Sequence, residues 1–251
     1  PGLFGFSDMR VFLLCCLPGL AVAQPVFEDR SAALPIQHTY SGGWEHFVGG
    51  GVAVFDCNGD ALPEIFAAGG ENPARLFINT TQASGADLTF SLGEIEQITG
   101  VTGAYPLDTD SDGHLDLAVL RVGPNMLLRG GPDCHFSDAT TLWGFESGDA
   151  WCTAFSATWE PFQDWPTLAI GNYVDRSDPD GPFEACDNNA IYRPDGTGFD
   201  SPDILEPGYC ALSMLFSDYS RRGRAYLRIS NDRHYYVSDG NEQMWRPDTG
   251  R

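Results

Sequence analysis

An acidic loop running straight into an alternating apolar segment occurs twice in this chain, with the two copies starting 52 residues apart at Asp56 and Asp108. In "LDTDSDGHLDLAVL", residues 107–120, carboxylates stand at Asp108, Asp110 and Asp112, and Asp116 is the ninth residue counted from Asp108. Hard cations such as calcium take about six to eight oxygens, and a short loop supplies them from alternate residues. His114, the seventh residue, offers its backbone carbonyl, and Gly113, the sixth, stands where the chain must turn sharply. An EF-hand needs a bidentate Glu at the twelfth position and a helix on each side. That position is Val119 here, and Leu115, Leu117 and Val119 alternate with the period of a strand. The pattern predicts a calcium-type loop between two strands. The plainer alternative is a solvated acidic turn, since Asp and Gly favour turns without any metal.

The first copy, "FDCNGDALPEIFAAGG", places Asp56, Asn58, Asp60 and Glu64 at positions one, three, five and nine, with Leu62 supplying the position-seven carbonyl. Its sixth residue is Ala61, and a non-glycine residue held left-handed costs about 1 kcal/mol or more, so this loop is expected to be looser. A third copy falls at the same spacing in "WEPFQDWPTLAIGNYV". Leu168 and Ile170 keep the strand positions there, while Trp159, Pro161, Gln163 and Thr167 replace the ligands. A fourth, "SDYSRRGRAYLRISND", keeps Leu227 and Ile229 in the strand and Asp218, Ser220 and Gly223 in the loop, with Arg222 and Tyr226 at positions five and nine. Two readings of Arg222 stay open: its guanidinium fills the cation's place beside Asp218, or it points into solvent.

Each unit reads as strand, loop, strand, then a further short apolar run, "ARLFINT" after the first loop and "NMLLRGG" after the second. Three to four short strands in about 50 residues make one propeller blade. The fold class expected is all-β, a β-propeller, with copies near residues 45–95, 96–147, 148–205 and 206–251. The residues here resemble a known family. "GVTGAYPLDTDSDGHLDLAVL" resembles an FG-GAP or VCBS repeat of the integrin-α-like β-propeller. "GGGVAVFDCNGDALPEIFAAGG" is similar to the version in secreted proteins related to cartilage acidic protein, the ASPIC/UnbV group, and "YSRRGRAYLRISNDRHYY" resembles a degenerate repeat. The resemblance covers roughly residues 40–250. It implies a calcium-stabilised propeller, usually of seven blades, exported from the cell and used for adhesion or ligand binding. Ala61 and the missing ligands of copies three and four depart from the pattern.

Charge and cysteine narrow the function classes. The formal net charge is −21, which argues against nucleic acid and anionic membrane surfaces, both of which need clustered Lys and Arg. "MRVFLLCCLPGLAVA", residues 9–23, has a basic start, an apolar centre and a small-x-small end, and reads as a secretory signal too short to span a membrane. A secreted, periplasmic or extracellular location follows, without membrane insertion after cleavage and with an extracellular protein or glycan as the expected ligand. Five cysteines remain beyond it. Export permits disulfides; nearness in sequence favours Cys134–Cys152 and Cys186–Cys210, leaving Cys57 as the odd thiol, although spacing alone leaves connectivity open.

The Asp-, Pro- and Gly-rich stretch 175–210 reads as a long surface loop. The ending "QMWRPDTGR" without a closing segment suggests a chain that lacks later blades; a complete four-blade ring is the alternative. The histidines, His234 among them, show no zinc spacing, and no nucleophile elbow or phosphate loop is present. Trp44, Trp151, Trp159 and Trp165 read as core between blades rather than as a sugar platform. A calcium-dependent propeller hydrolase, or a purely structural domain of a larger surface protein, stands as the alternative to recognition. The hydrolase would need carboxylates outside the loops gathered on the propeller axis.

Overall fold

The computed structural model describes residues 26–232 and 237–246; the signal-like segment 9–23 and His234 lie outside them. The chain is all-β. Among the described residues, fifteen strands form four antiparallel sheets, each a meander drawn from one consecutive stretch of sequence. Sheet one holds β1 (Val52–Phe55), β2 (Glu64–Ala67), β3 (Arg75–Asn79) and β4 (Phe90–Leu92). Sheet two holds β5 (Val101–Leu107), β6 (Asp116–Arg121), β7 (Met126–Gly130) and β8 (Phe136–Asp138). Sheet three holds β9 (Cys152–Thr158), β10 (Thr167–Asn172), β11 (Asn189–Tyr192) and β12 (Asp203–Leu205). Sheet four holds β13 (Ala211–Ser217), β14 (Tyr226–Asn231) and β15 (Gln243–Trp245). This is a β-propeller-like architecture. Among the described residues, helix is confined to three-residue 3₁₀ turns, and no helix is long and apolar enough to cross a membrane.

The core lies between successive sheets. Phe55, Phe66 and Leu76 of sheet one meet Val101, Leu117 and Val119 of sheet two. The other face of sheet two, through Leu120 and Leu127, meets Leu168, Ile170 and Tyr192 of sheet three, and Ala169 and Ile191 continue the stack onto Leu227 and Ile229. The middle sheets are therefore covered on both faces, so β10 is buried at every position and β6 at all but its last. The end sheets alternate: in β1 Val52 and Val54 are exposed, and in β13 Leu212 and Leu215 are exposed.

The first strand of each sheet lines a common axis, where side-chain and backbone bonds step from sheet to sheet. Gly51 N–H donates to the Thr102 carbonyl, Thr102 Oγ1 to the Cys152 carbonyl, and Thr153 Oγ1 to the Ala211 carbonyl. A Cβ on Gly51 would stand 2.8 Å from Gly103 Cα, so the glycine is demanded by close strand approach. The turn Trp44–His46 packs against Trp151 at the start of sheet three. Trp44 and Phe47 pack edge-on against Trp151, and Arg176 pairs with Glu45 and Asp149.

Three sequence expectations change. Cys57 pairs with Cys134 (Cα–Cα 5.0 Å), not Cys134 with Cys152, because Cys57 and Cys134 lie on adjoining sheets. Cys152 is a buried free thiol held by Asn125 and Asn172, and burial pushes it up to about 12. The Cys186–Cys210 bridge is present. The stretch 175–210 is not simply a surface loop: it carries β11 and β12, and Asn189 to Tyr192 are all buried. Trp151 and Trp165 are core, but Trp44 and Trp159 are about half exposed.

Cys57–Cys134 staples two sheets across 77 residues and Cys186–Cys210 closes 24. Loop-closure entropy then predicts that C57S/C134S costs about 4 kcal/mol and C186S/C210S about 3 kcal/mol. Urea denaturation of the two double variants measures both costs.

Candidate metal centre

Each acidic loop joins the first strand of a sheet to the second. Its shape recurs even where its acids do not. The fourth loop residue is left-handed in all four copies: Gly59 (φ 78°), Ser111 (56°), Phe162 (70°) and Arg221 (54°). The sixth is left-handed in three: Ala61 (φ 64°), Gly113 (89°) and Gly223 (73°). Ala61 therefore carries the strain its sequence implied. Asn and Asp side chains hold the turn by accepting backbone N–H bonds. Asp56 accepts from Gly59 and Ala61, Asp108 from Asp112 and Gly113, and Asp218 from Arg222 and Gly223. These bonds hold Asp56 and Asp218 below the usual carboxylate range, the Ala61 and Arg222 N–H groups contributing most.

The ninth residue anchors the loop. Asp116 and Glu64 are fully buried at the head of β6 and β2. Asp116 accepts from the N–H of Thr109 (2.7 Å) and of Gly130 on β7 (2.8 Å), and Glu64 from the N–H of Cys57 (3.0 Å). Burial raises both carboxyls, Asp116 to about 6, against the lowering effect of these bonds.

The second loop gathers its acids. One carboxylate oxygen each from Asp108, Asp110 and Asp116 lies within 4.8 Å of the others. Asp110 Oδ1 is buried with no hydrogen-bond partner. Three convergent hard oxygens, with a buried, unpartnered oxygen on one of the same carboxylates, suit a hard cation. Asp112 does not join the cluster: its Oδ1 accepts from the His114 N–H and its Oδ2 from Arg129. The side chain of His114 is half-buried.

In the first loop the expected ligands are less gathered. Asn58 exchanges bonds with Asp60, whose Oδ1 also accepts from the Leu62 N–H. Glu64 sits by the Cys57–Cys134 bridge, whose sulfurs are joined to each other and are not ligands, and its Oε1 is buried without a partner. In the fourth loop it is the backbone N–H of Arg222, not its guanidinium, that meets Asp218.

Sequence reasoning overlooked an arginine column. Leu128, Tyr192 and Trp245 on the third strands pair with Leu117, Leu168 and Leu227 on the second. One residue further along stand Arg129, Arg193 and Arg246, opposite the ninth loop residue, with Ile78 as their counterpart in sheet one. Arg129 pairs with Asp110 (2.7 Å) and Asp112 (2.9 Å), Arg193 with Glu160 (3.2 Å) and Asp203 (3.0 Å), and Arg246 lies 6.0 Å from the Tyr226 ring. The signal was in the chain: each arginine is followed by Pro-Asp, directly in 193–195 and 246–248 and after two glycines in 129–133.

Residues 56–119 match the family model described as the FG-GAP-like repeat. The match runs from the first acid of the first loop to the middle of β6, and with the stacked all-β sheets it fits an FG-GAP repeat protein. No curated protein matches the chain.

The raised Asp116 carboxyl gives this repeat a pH signature, whose sign a cation bound in the loop would reverse. Between the unfolded carboxylate value near 3.9 and about 6 the folded state holds the extra proton. In chelator, stability is expected to fall on the order of 1–2 kcal/mol as pH rises through that window. A bound cation requires the ionised form, so in excess calcium stability rises over the same window. Denaturant titrations at pH 4.5 and 6.5, with and without calcium, read the sign directly.

Proposed function

We propose that the chain is an exported, calcium-binding repeat domain of propeller type used for recognition or adhesion. Calcium in the loops between first and second strands would stabilise the blades, and an extracellular protein or glycan is the expected ligand class. The observation that carries the calcium reading is the second loop: Asp108, Asp110 and Asp116 converge, and Asp110 also has a buried oxygen without a hydrogen-bond partner. The ligands would be Asp108, Asp110 and Asp116 here, and Asp56, Asn58, Asp60 and Glu64 in the first loop, once a cation draws them together. The FG-GAP-like match supports the recognition or adhesion role. Two disulfides support an oxidising compartment.

A hydrolase would need carboxylates gathered near the axis. The cavity of about 260 Å³ there is lined by Gly49, Gly51, Thr102, Tyr105, Leu120 and Thr153 among others, none of them acidic.

Thermal melts in excess calcium and in chelator test the reading. Calcium at a hundred times its dissociation constant stabilises by about 2.7 kcal/mol per site. The midpoint is expected to rise with calcium, and D108A and D56A should each remove part of the rise. A midpoint indifferent to calcium would make both loops acidic turns.

A further inference from the structure

Four carboxylates within nine residues of the second loop repel one another unless a positive charge stands among them. Arg129 supplies one from a different strand. Its guanidinium reaches two carboxylates at once: it hydrogen-bonds Asp112 Oδ2 and stands 2.7 Å from Asp110 Oδ2 as an ion pair, while Asp110 Oδ1 stays buried and unpartnered. The other copies show what this position does. The third loop lacks acids at positions one, three and five yet keeps Arg193, bonded to Glu160, which in turn accepts from the ninth residue Thr167. A guanidinium thus ties loop to strand where no set of metal ligands exists. The first loop is the converse: it has the acids, Ile78 stands in the arginine's place, and its carboxylates are less gathered.

We propose that Arg129 is a resident counter-cation of the second loop. It holds the loop's shape without calcium and lowers the loop's calcium affinity, leaving the first loop as the one whose order depends on calcium. The affinity half of this proposal rests on the calcium reading above; the shape-holding half does not. A guanidinium a few ångströms from a divalent ion repels it, so its removal strengthens calcium binding even as it loosens the metal-free loop.

The test uses the full chain with Arg129→Met, Arg129→Lys and Ile78→Arg, melted in chelator and titrated calorimetrically with calcium chloride. R129M is expected to melt roughly 2–4 °C lower in chelator and to bind calcium at the second loop about tenfold tighter. R129K, which keeps the charge and loses the fork, should recover part of the chelator midpoint. I78R should shrink the calcium-induced rise that the first loop contributes. An unchanged chelator midpoint in R129M overturns the proposal. Weaker calcium binding in R129M overturns it too, and makes Arg129 a positioning residue for Asp110. If neither wild type nor R129M binds calcium, the calcium reading falls by itself, and the chelator midpoint still decides whether Arg129 holds the loop.

Discussion

The buried acid at the head of the second strand is the contact on which the calcium-type loops depend. A carboxylate removed from water is costly unless hydrogen bonds or a cation compensate. Asp116 obtains two backbone N–H bonds, one from its own loop and one from the third strand, so a single side chain joins loop, β6 and β7. Glu64 repeats the loop bond in sheet one. The same position is Thr167 in sheet three, where the hydroxyl turns to Glu160, and Tyr226 in sheet four. The topology is thus common to four units, whereas the concentration of buried negative charge belongs to two.

Stacking supplies the rest of the fold. Leu117 and Val119, Leu168 and Ile170, and Leu227 and Ile229 occupy matching strand positions, and each pair faces the preceding sheet. Ile65, their counterpart in β2, follows no other sheet among the described residues and is only partly buried. The Cys57–Cys134 bridge joins sheets one and two beside the first loop, so loop order and sheet docking are mechanically linked there. At the axis the bonds of Gly51, Thr102 and Thr153 fix the approach of successive first strands.

The repeat and its all-β fold were legible because a period near 50 residues and a two-residue apolar alternation are local signals. So was the second loop, whose Asp108, Asp110 and Asp116 do converge. Asp112 instead meets Arg129, a partner from a strand 17 residues on that the local pattern does not show. The pairing of Cys57 escaped for the same reason, being set by sheet stacking across 77 residues. β11 and β12 hid in an Asp-, Pro- and Gly-rich stretch whose turn residues outweighed the short run Asn189–Tyr192. The left-handed fourth loop residue left no compositional trace, since Gly, Ser, Phe and Arg all occupy it.

In the proposed calcium reading, the buried acid at the ninth position converts a common structural loop into a cation site. Substituting Asp116 by Thr, the residue that sheet three carries at the same position, separates the two roles. Native mass spectrometry of wild type and Asp116→Thr in calcium counts the ions on each. Two calcium ions are expected on the wild type and one on a folded Asp116→Thr chain. The same number of ions on both proteins would contradict it.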